Sequence, residues 1–357
     1  PKDLLLEYDY LDAILLDFSG EDLLQYLAGN SDKVKNMVIR ADDIVIGKER
    51  SQEKWVPFDL PIPRHELFLN KNYRFPFAKK RQFTVVLTDF GCPFDCLFCV
   101  MPTLGYKYRR VNNILDELEY IFKLGIREIF FMDQSFGAIK ERSVNLCQQM
   151  LEKEFNFGWT CFSRADLLDK ESLVIMRKAG CHTIIIGVES GDREILKIYK
   201  KVYDREKMIS IFNLCHELKI RTVGTFILGL PEDTRETCLK TIQFAKQLNC
   251  DFASFHVAVP RAGTALRQKS IEAHLIDNYQ RSMDQSGSAI AMPTKILTKD
   301  QIAGLKRKAI REFYLRPGYL LRRLSSSGSF TELLEQVRQG CFLLRDNLIP
   351  SAKIPGL

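Results

Sequence analysis

From Phe83 onward the chain alternates short apolar runs with amphipathic stretches, and that rhythm constrains the fold more than any other feature. "FTVVLT", "REIFFMDQ", "FGWTCFSRADL", "HTIIIGVES", "RTVGTFILGLPE" and "FASFHVAVP" read as strands. "NNILDELEYIFKLG", "VNLCQQMLEK", "KESLVIMRKAG", "DREKMISIFNLCHEL" and "RETCLKTIQFAKQLN" read as the helices between them, the first stopped by Gly125. Strand–helix units in series predict an α/β fold with a parallel sheet, which a partial barrel or an open sheet accommodates equally well. In either, chemistry belongs at the carboxyl ends of the strands.

The first strand of the series runs directly into "GCPFDCLFC", which spaces Cys92, Cys96 and Cys99 by three and then two residues. Thiolates suit zinc or iron–sulfur clusters, and a structural zinc site wants a closed set of four ligands. No fourth ligand lies nearby in sequence: His65 is far upstream, and Cys147 sits inside a helix. A four-iron cluster on three thiolates leaves one iron open to a small chelating molecule. The competing readings are chance core thiols, or a zinc knuckle completed from a distance.

Composition narrows the class. The 46% hydrophobic and 27% charged fractions are those of an ordinary globular protein, and no apolar run approaches the ~18 residues that span a bilayer. Ten unpaired-looking cysteines predict a reduced, cytoplasmic protein. A net charge of +7 without one dominant basic run gives no argument for nucleic acid.

The cysteine spacing, with Phe98 just before the third cysteine, resembles the signature of the radical S-adenosylmethionine (SAM) superfamily, over residues 83–264. The resemblance implies a partial (β/α)6 barrel and a [4Fe-4S] cluster on Cys92, Cys96 and Cys99. S-adenosylmethionine chelates its open iron and is reductively cleaved to methionine and a 5′-deoxyadenosyl radical. By the same resemblance, Glu189 in "GVESGDREILKIYKK" bonds the ribose hydroxyls, and Lys201, twelve residues on, reaches the methionine carboxylate. "FILGLPED" places Ile227, Gly229 and Glu232 at positions that meet adenine, while Thr225 replaces a glycine of that element. Asp133 is expected to face the methionine amino group, and Ser163 and Arg164 to touch ribose or carboxylate. The remaining cysteines read as core.

The flanks resemble a narrower, cobalamin-binding subgroup that includes the magnesium-protoporphyrin ester cyclase. Residues 1–42 read as the end of a Rossmann-like domain, 43–80 as a linker, 81–265 as the radical barrel and 266–357 as a helical C-terminal region. The subgroup's Asp-x-His-x-x-Gly loop is absent from these residues, and none of the five histidines has that setting. The expectation is therefore that a cobalamin-binding half lies upstream of Pro1, or that cobalamin is held without a histidine or not at all. The basic, aromatic stretch 306–323 fits an amphipathic helix packed on the barrel, with peripheral membrane contact as the alternative.

These features predict an enzyme that modifies an unactivated carbon of a small molecule or lipid, with cobalamin-dependent methyl transfer as one route. A reductant such as flavodoxin or ferredoxin is the expected protein partner. The reading from a different class is a non-catalytic iron–sulfur electron carrier or a zinc-stabilised binding protein.

Overall fold

The computed structural model describes residues 2–17, 20–41, 44–47, 54–69, 73–278 and 289–326. The chain opens with α1 (Lys2–Glu7), β1 (Ala13–Leu15), α2 (Asp22–Leu27), β2 (Met37–Ala41) and β3 (Ile44–Gly47). The expected strand and helix are β1 and α2. Two further strands follow, and β1–β2–β3 pair antiparallel, a different arrangement from the parallel pairing of a Rossmann sheet. For β2 and β3 the reason is local, since they are joined by a connection too short for a parallel crossover. An ion pair between Asp17 and Lys107 ties this unit to the barrel domain.

The segment read as a linker is only partly irregular. It supplies β4 (Lys54–Phe58), which joins a second small sheet in the order β4–β7–β6. Pro57, which has no N–H to give a ladder, is accommodated because β4 lies at the edge. Further on, His65 is buried between Thr84 and Glu117, its ring nitrogens 2.6 Å and 2.9 Å from their side-chain oxygens.

The barrel follows as β5 (Thr84–Val86), β6 (Asp89–Gly91), β7 (Tyr106–Arg109), α3 (Val111–Lys123), β8 (Glu128–Phe131), α4 (Lys140–Glu152), β9 (Gly158–Ser163), α5 (Lys170–Lys178), β10 (Cys181–Glu189), α6 (Arg193–Ile198), α7 (Arg205–Glu217), β11 (Arg221–Leu228), α8 (Arg235–Leu248) and β12 (Phe252–Val257). Six strands pair in the order β12–β11–β10–β9–β8–β5, all parallel. All six are the strands read from sequence. β5 and β12 do not pair, so the barrel is not closed, and inward side chains of β8, β9, β10, β11 and β12 meet in one cluster, as in a partial barrel. The excursion through β6 and β7 between the first and second of them was not foreseen. β6 is only three residues long and holds no period of its own.

Alternation along each strand separates two cores. Phe131, Trp159, Cys161, Ile184, Ile186, Phe226 and Phe255 face the helices, whereas Phe130, Ile185 and Val223 face the barrel axis with Phe162 and Phe252. Phe75 and Phe77 close the floor of that inner core, Phe75 stacking on Phe130 at 4.3 Å.

The chain ends its described course in α9 (Ala265–Glu272), α10 (Lys299–Tyr314) and α11 (Pro317–Ser326). A Thr298–Gln301 capping box starts α10, and Ile302, Leu305, Ala309, Ile310 and Phe313 bury its apolar face. Two of the basic residues here turn inward, Arg316 donating to the Lys246 carbonyl at 2.9 Å and Arg322 to the Cys250 carbonyl at 3.2 Å, while Arg307 and Arg311 are exposed. Those two guanidiniums hold the helices to the barrel. Among the described residues no helix is long and apolar enough to cross a membrane. The part of the C-terminal region beyond residue 326, with Cys341, lies outside the described residues.

A buried polar node joins β5, β6, β7, β8 and α4. The Asp133 carboxylate accepts from the Thr88 N–H (2.6 Å), the Thr88 hydroxyl (2.7 Å) and the Asp89 N–H (2.8 Å). Asp89 in turn accepts from the Tyr106 hydroxyl at 2.9 Å and pairs with Arg142. Burial and the neighbouring Asp133 carboxylate push the Asp89 acid up to about 7, against the pull of Arg142 and Tyr106. In the unfolded chain the same acid ionises near 4. Its contribution to stability is thus present below about pH 4 and is lost as pH rises through about 7. Urea unfolding of the metal-free protein should show stability falling between pH 5 and pH 7, and Asp89→Asn should flatten that slope whatever its absolute stability. An unchanged slope in the variant would place the titration elsewhere.

Candidate active site

The cysteine loop leaves β6 through Gly91, whose φ of +77° and contact with the Gly105 carbonyl both demand glycine: a Cβ would collide with that oxygen. The Cys92 N–H then donates to the same carbonyl at 3.0 Å. Further along, the Leu97 N–H donates to the Tyr199 carbonyl (3.1 Å) and the Leu97 carbonyl accepts from the Leu266 N–H (3.0 Å). The loop is therefore held from three sides by parts of the chain remote from one another.

Cys96 is buried, and Cys92 and Cys99 are half-buried. Burial raises the Cys96 thiol and pushes Cys99 up to about 11, with each of the other two cysteines adding to the rise at Cys99. As free thiols Cys96 and Cys99 hold their protons, so a bound cation has to replace those protons. The three are near enough to repel one another as thiolates. Yet among the described residues no three Cys, His, Asp or Glu side chains are gathered closely enough to hold a single metal ion. The serine hydroxyl of Ser135, 4.0 Å from the Cys92 sulfur, belongs to the same surroundings and carries no sequence signal.

Opposite the loop, β10 ends in a register shift between Gly187 and Glu189. Glu189 has φ +65°, a left-handed conformation that costs a glutamate about 1 kcal/mol or more. Its carboxylate folds back over Gly187, where a Cβ would strike the Glu189 oxygen and lie 3.3 Å from the Lys201 ammonium. Lys201 Nζ stands 3.7 Å from Glu189 Oε1, and both side chains are almost fully buried. Burial raises the Glu189 acid, while Lys201 and Arg164 oppose the rise. Glu189, Lys201 and Arg164 all act electrostatically on Cys96, so the structure brings these three expected residues beside the cysteines. A buried acid and a buried base at a barrel mouth can bind hydroxyls and a carboxylate of one zwitterionic ligand. Gly187 is a participant that sequence reasoning missed; a glycine inside an otherwise β-branched strand was the available signal.

Other expected residues stand differently. Asp133 does not open toward the cysteines: it is fully buried, and both oxygens are taken by Thr88 and Asp89. Ser163 is buried too, its hydroxyl donating to the Phe136 carbonyl at 2.8 Å, which steadies the loop carrying Ser135. Phe98 packs with Tyr199 (6.2 Å between centroids) beside the cluster of Ile195, Ile227 and Leu230. Gly229 is required by its φ of +85°, and the side on which a Cβ would project faces Ile302 of α10 at 3.0 Å. The glycine thus serves a turn and a helix contact, not the close approach of a ring to this side of the backbone. Asp233 accepts from the Gly229 and Leu230 N–H groups at 3.0 Å each, fixing that turn. Glu232 accepts from the Tyr199 hydroxyl and lies 3.3 Å from Lys295. Cys147, Cys161, Cys181, Cys215, Cys238 and Cys250 are buried in the core, as expected.

Residues 87–245 match the family described as the Radical SAM superfamily. An uncharacterized methyltransferase of Pyrococcus horikoshii is 32% identical over 276 residues, covering 76% of this chain and 59% of that one. The anaerobic magnesium-protoporphyrin IX monomethyl ester cyclase of Cereibacter sphaeroides is 25% identical over 233 residues, covering 63% of this chain and 38% of that one. The chain therefore spans less than two thirds of either relative. Among solved structures, the cobalamin-dependent S-adenosylmethionine radical enzyme OxsB superposes with a TM-score of 0.66 at 16% identity, over 98% of this chain and 57% of that one. That likeness is one of fold. Residues 87–245, with the cysteine loop near their start, thus form a radical SAM domain.

Proposed function

We propose that the protein is a radical SAM enzyme that modifies an unactivated carbon of a small molecule or lipid. One observation carries the reading: Cys96, with Cys92 and Cys99 close enough to act on one another electrostatically, stands beside the buried Glu189–Lys201 pair. Cys92, Cys96 and Cys99 would hold a [4Fe-4S] cluster, which when bound supplies the electron that cleaves S-adenosylmethionine. Glu189 would accept from the ribose hydroxyls and Lys201 would donate to the methionine carboxylate. Phe98 and Ile227, in one apolar cluster, would flank the cofactor and keep water from it.

Methyl transfer with cobalamin as a further cofactor is the finer reading. It is supported by the likeness to the uncharacterized methyltransferase of Pyrococcus horikoshii and by the likeness in fold to the cobalamin-dependent enzyme OxsB. We assign residues 81–265 to the radical domain, 43–80 to the connection before it, and 1–42 to the end of a preceding cobalamin-type domain. Residues 266–357 are assigned to a C-terminal region, whose described part is built on α9, α10 and α11. A cytoplasmic flavodoxin or ferredoxin would supply the electron. A simple electron carrier is disfavoured because it has no use for a buried acid–base pair beside its cluster.

Two measurements test this. After anaerobic reconstitution the chain should hold roughly four irons, and Cys96→Ala should lose the cluster while Cys147→Ala keeps it. A full cluster in Cys96→Ala would refute the ligand assignment. Glu189→Ala should keep the cluster and bind S-adenosylmethionine about ten- to a hundredfold more weakly by calorimetry, the weight of a charge-assisted hydrogen bond. Undiminished affinity would make Glu189 a structural residue only.

A further inference from the structure

The end of β9 places Arg164 against the cysteine loop rather than out toward solvent. Its Nη1 lies 3.8 Å from the Cys96 sulfur, within reach of a hydrogen bond to sulfur. The rest of the guanidinium is held rigidly. Nε and Nη2 donate to the two oxygens of Asp166 at 3.0 Å and 2.7 Å, and the plane lies over the Phe94 ring with its centre 3.9 Å away. Phe94 is part of the cysteine loop itself, so one arginine touches that loop at a ring and at a sulfur. Asp166 is fixed in its turn: its backbone carbonyl accepts from Lys207 at 2.8 Å.

Burial separates the two ends of this arrangement. The Arg164 side chain is 9% exposed, whereas that of Asp166 is 35% exposed. Water therefore screens the carboxylate more than it screens the guanidinium edge that faces the thiol. Lys201, the other nearby cation, has the deeply buried Glu189 as its counter-ion. The cation whose charge is least cancelled on the cysteine side is Arg164.

We propose that Arg164 is a positioning and tuning residue for the cluster, donating to the Cys96 thiolate and raising the cluster's reduction potential. This rests on the assignment of a cluster to the three cysteines. A hydrogen bond and a positive charge at a ligand sulfur favour the reduced, more negative state, because they draw off electron density that accumulates there. Phe94 and Asp166 act by fixing the plane of the guanidinium so that its free edge meets sulfur and not water. The role is independent of S-adenosylmethionine and operates before it binds.

The test is a spectroelectrochemical titration of the reconstituted protein with no S-adenosylmethionine present. Arg164→Gln should hold its iron and shift the one-electron reduction equilibrium about tenfold toward the oxidised state, which corresponds to about 59 mV. Arg164→Lys, which keeps the charge, should stay within about twofold of the parent. A full cluster in Arg164→Gln with a midpoint unchanged within about twofold would overturn the inference and leave the cluster assignment standing. Should Arg164→Gln fail to take up iron, the lysine variant decides. A retained midpoint supports the role of charge, and a tenfold drop despite retained charge overturns it. Failure of the parent chain to hold a cluster would remove the functional reading and this inference together.

Discussion

The carboxylate of Asp133 is the point on which the rest of the site depends. It ends β8 and, by accepting two backbone N–H groups and a hydroxyl from Thr88 and Asp89, decides where the neighbouring β5 stops being a barrel strand. Beyond that point the chain turns into β6, reaches Gly91 and enters the cysteine loop. A buried carboxylate with several donors is costly to place and costly to disturb, since any lost partner leaves an unsatisfied oxygen. Arg142 and Tyr106 complete the shell from α4 and β7. The loop is therefore launched from a node with contributions from five elements, β5, β6, β7, β8 and α4, and its direction does not rest on the loop's own residues.

Much of the barrel is legible in the sequence because its strands are buried on both faces and its helices on one. Those two patterns differ in length and period, so six strands and their helices stand apart. The small sheet β4–β7–β6 carries no such signal, being built of segments of three to five residues paired over long sequence distance. The N-terminal unit shows the same limit. A strand followed by a helix is visible in "LDAILLDFSGEDLLQYLAG", yet what pairs with that strand, and in which direction, depends on β2 and β3.

The site divides along a similar line. Cys92, Cys96 and Cys99 are legible because a cluster fixes ligand spacing locally, and Glu189 and Lys201 because they are joined by one strand end and one short helix. Ser135, Phe94 and Asp166 are illegible because their roles exist only once separate strands are side by side. Asp133 and Gly229 show the converse. Each sits at an informative position, but an acid at a strand end can be consumed by backbone donors, and a glycine can answer to a turn and a helix contact. Residue type at a position does not say which way the side chain, or the missing side chain, is aimed.

The barrel axis carries one more consequence of strand register. Because paired residues in a parallel sheet share a face, Gly187, Thr225 and Ser254 form one row, with Ile227 and His256 above on the neighbouring strands. Below them Phe130, Ile185 and Val223 are sealed by Phe75 and Phe77, while Val85 and Met132, on the same face toward the open edge, are 40% and 47% exposed. The interior is thus closed and apolar at its floor, open at its mouth, and polar along β11 and β12. The acid–base pair stands on one wall of this interior and the Ser254 and His256 side chains, 3.0 Å apart, on another. Fold alone sets none of this chemistry. It follows from which residue of each alternating pair was placed on the inner face.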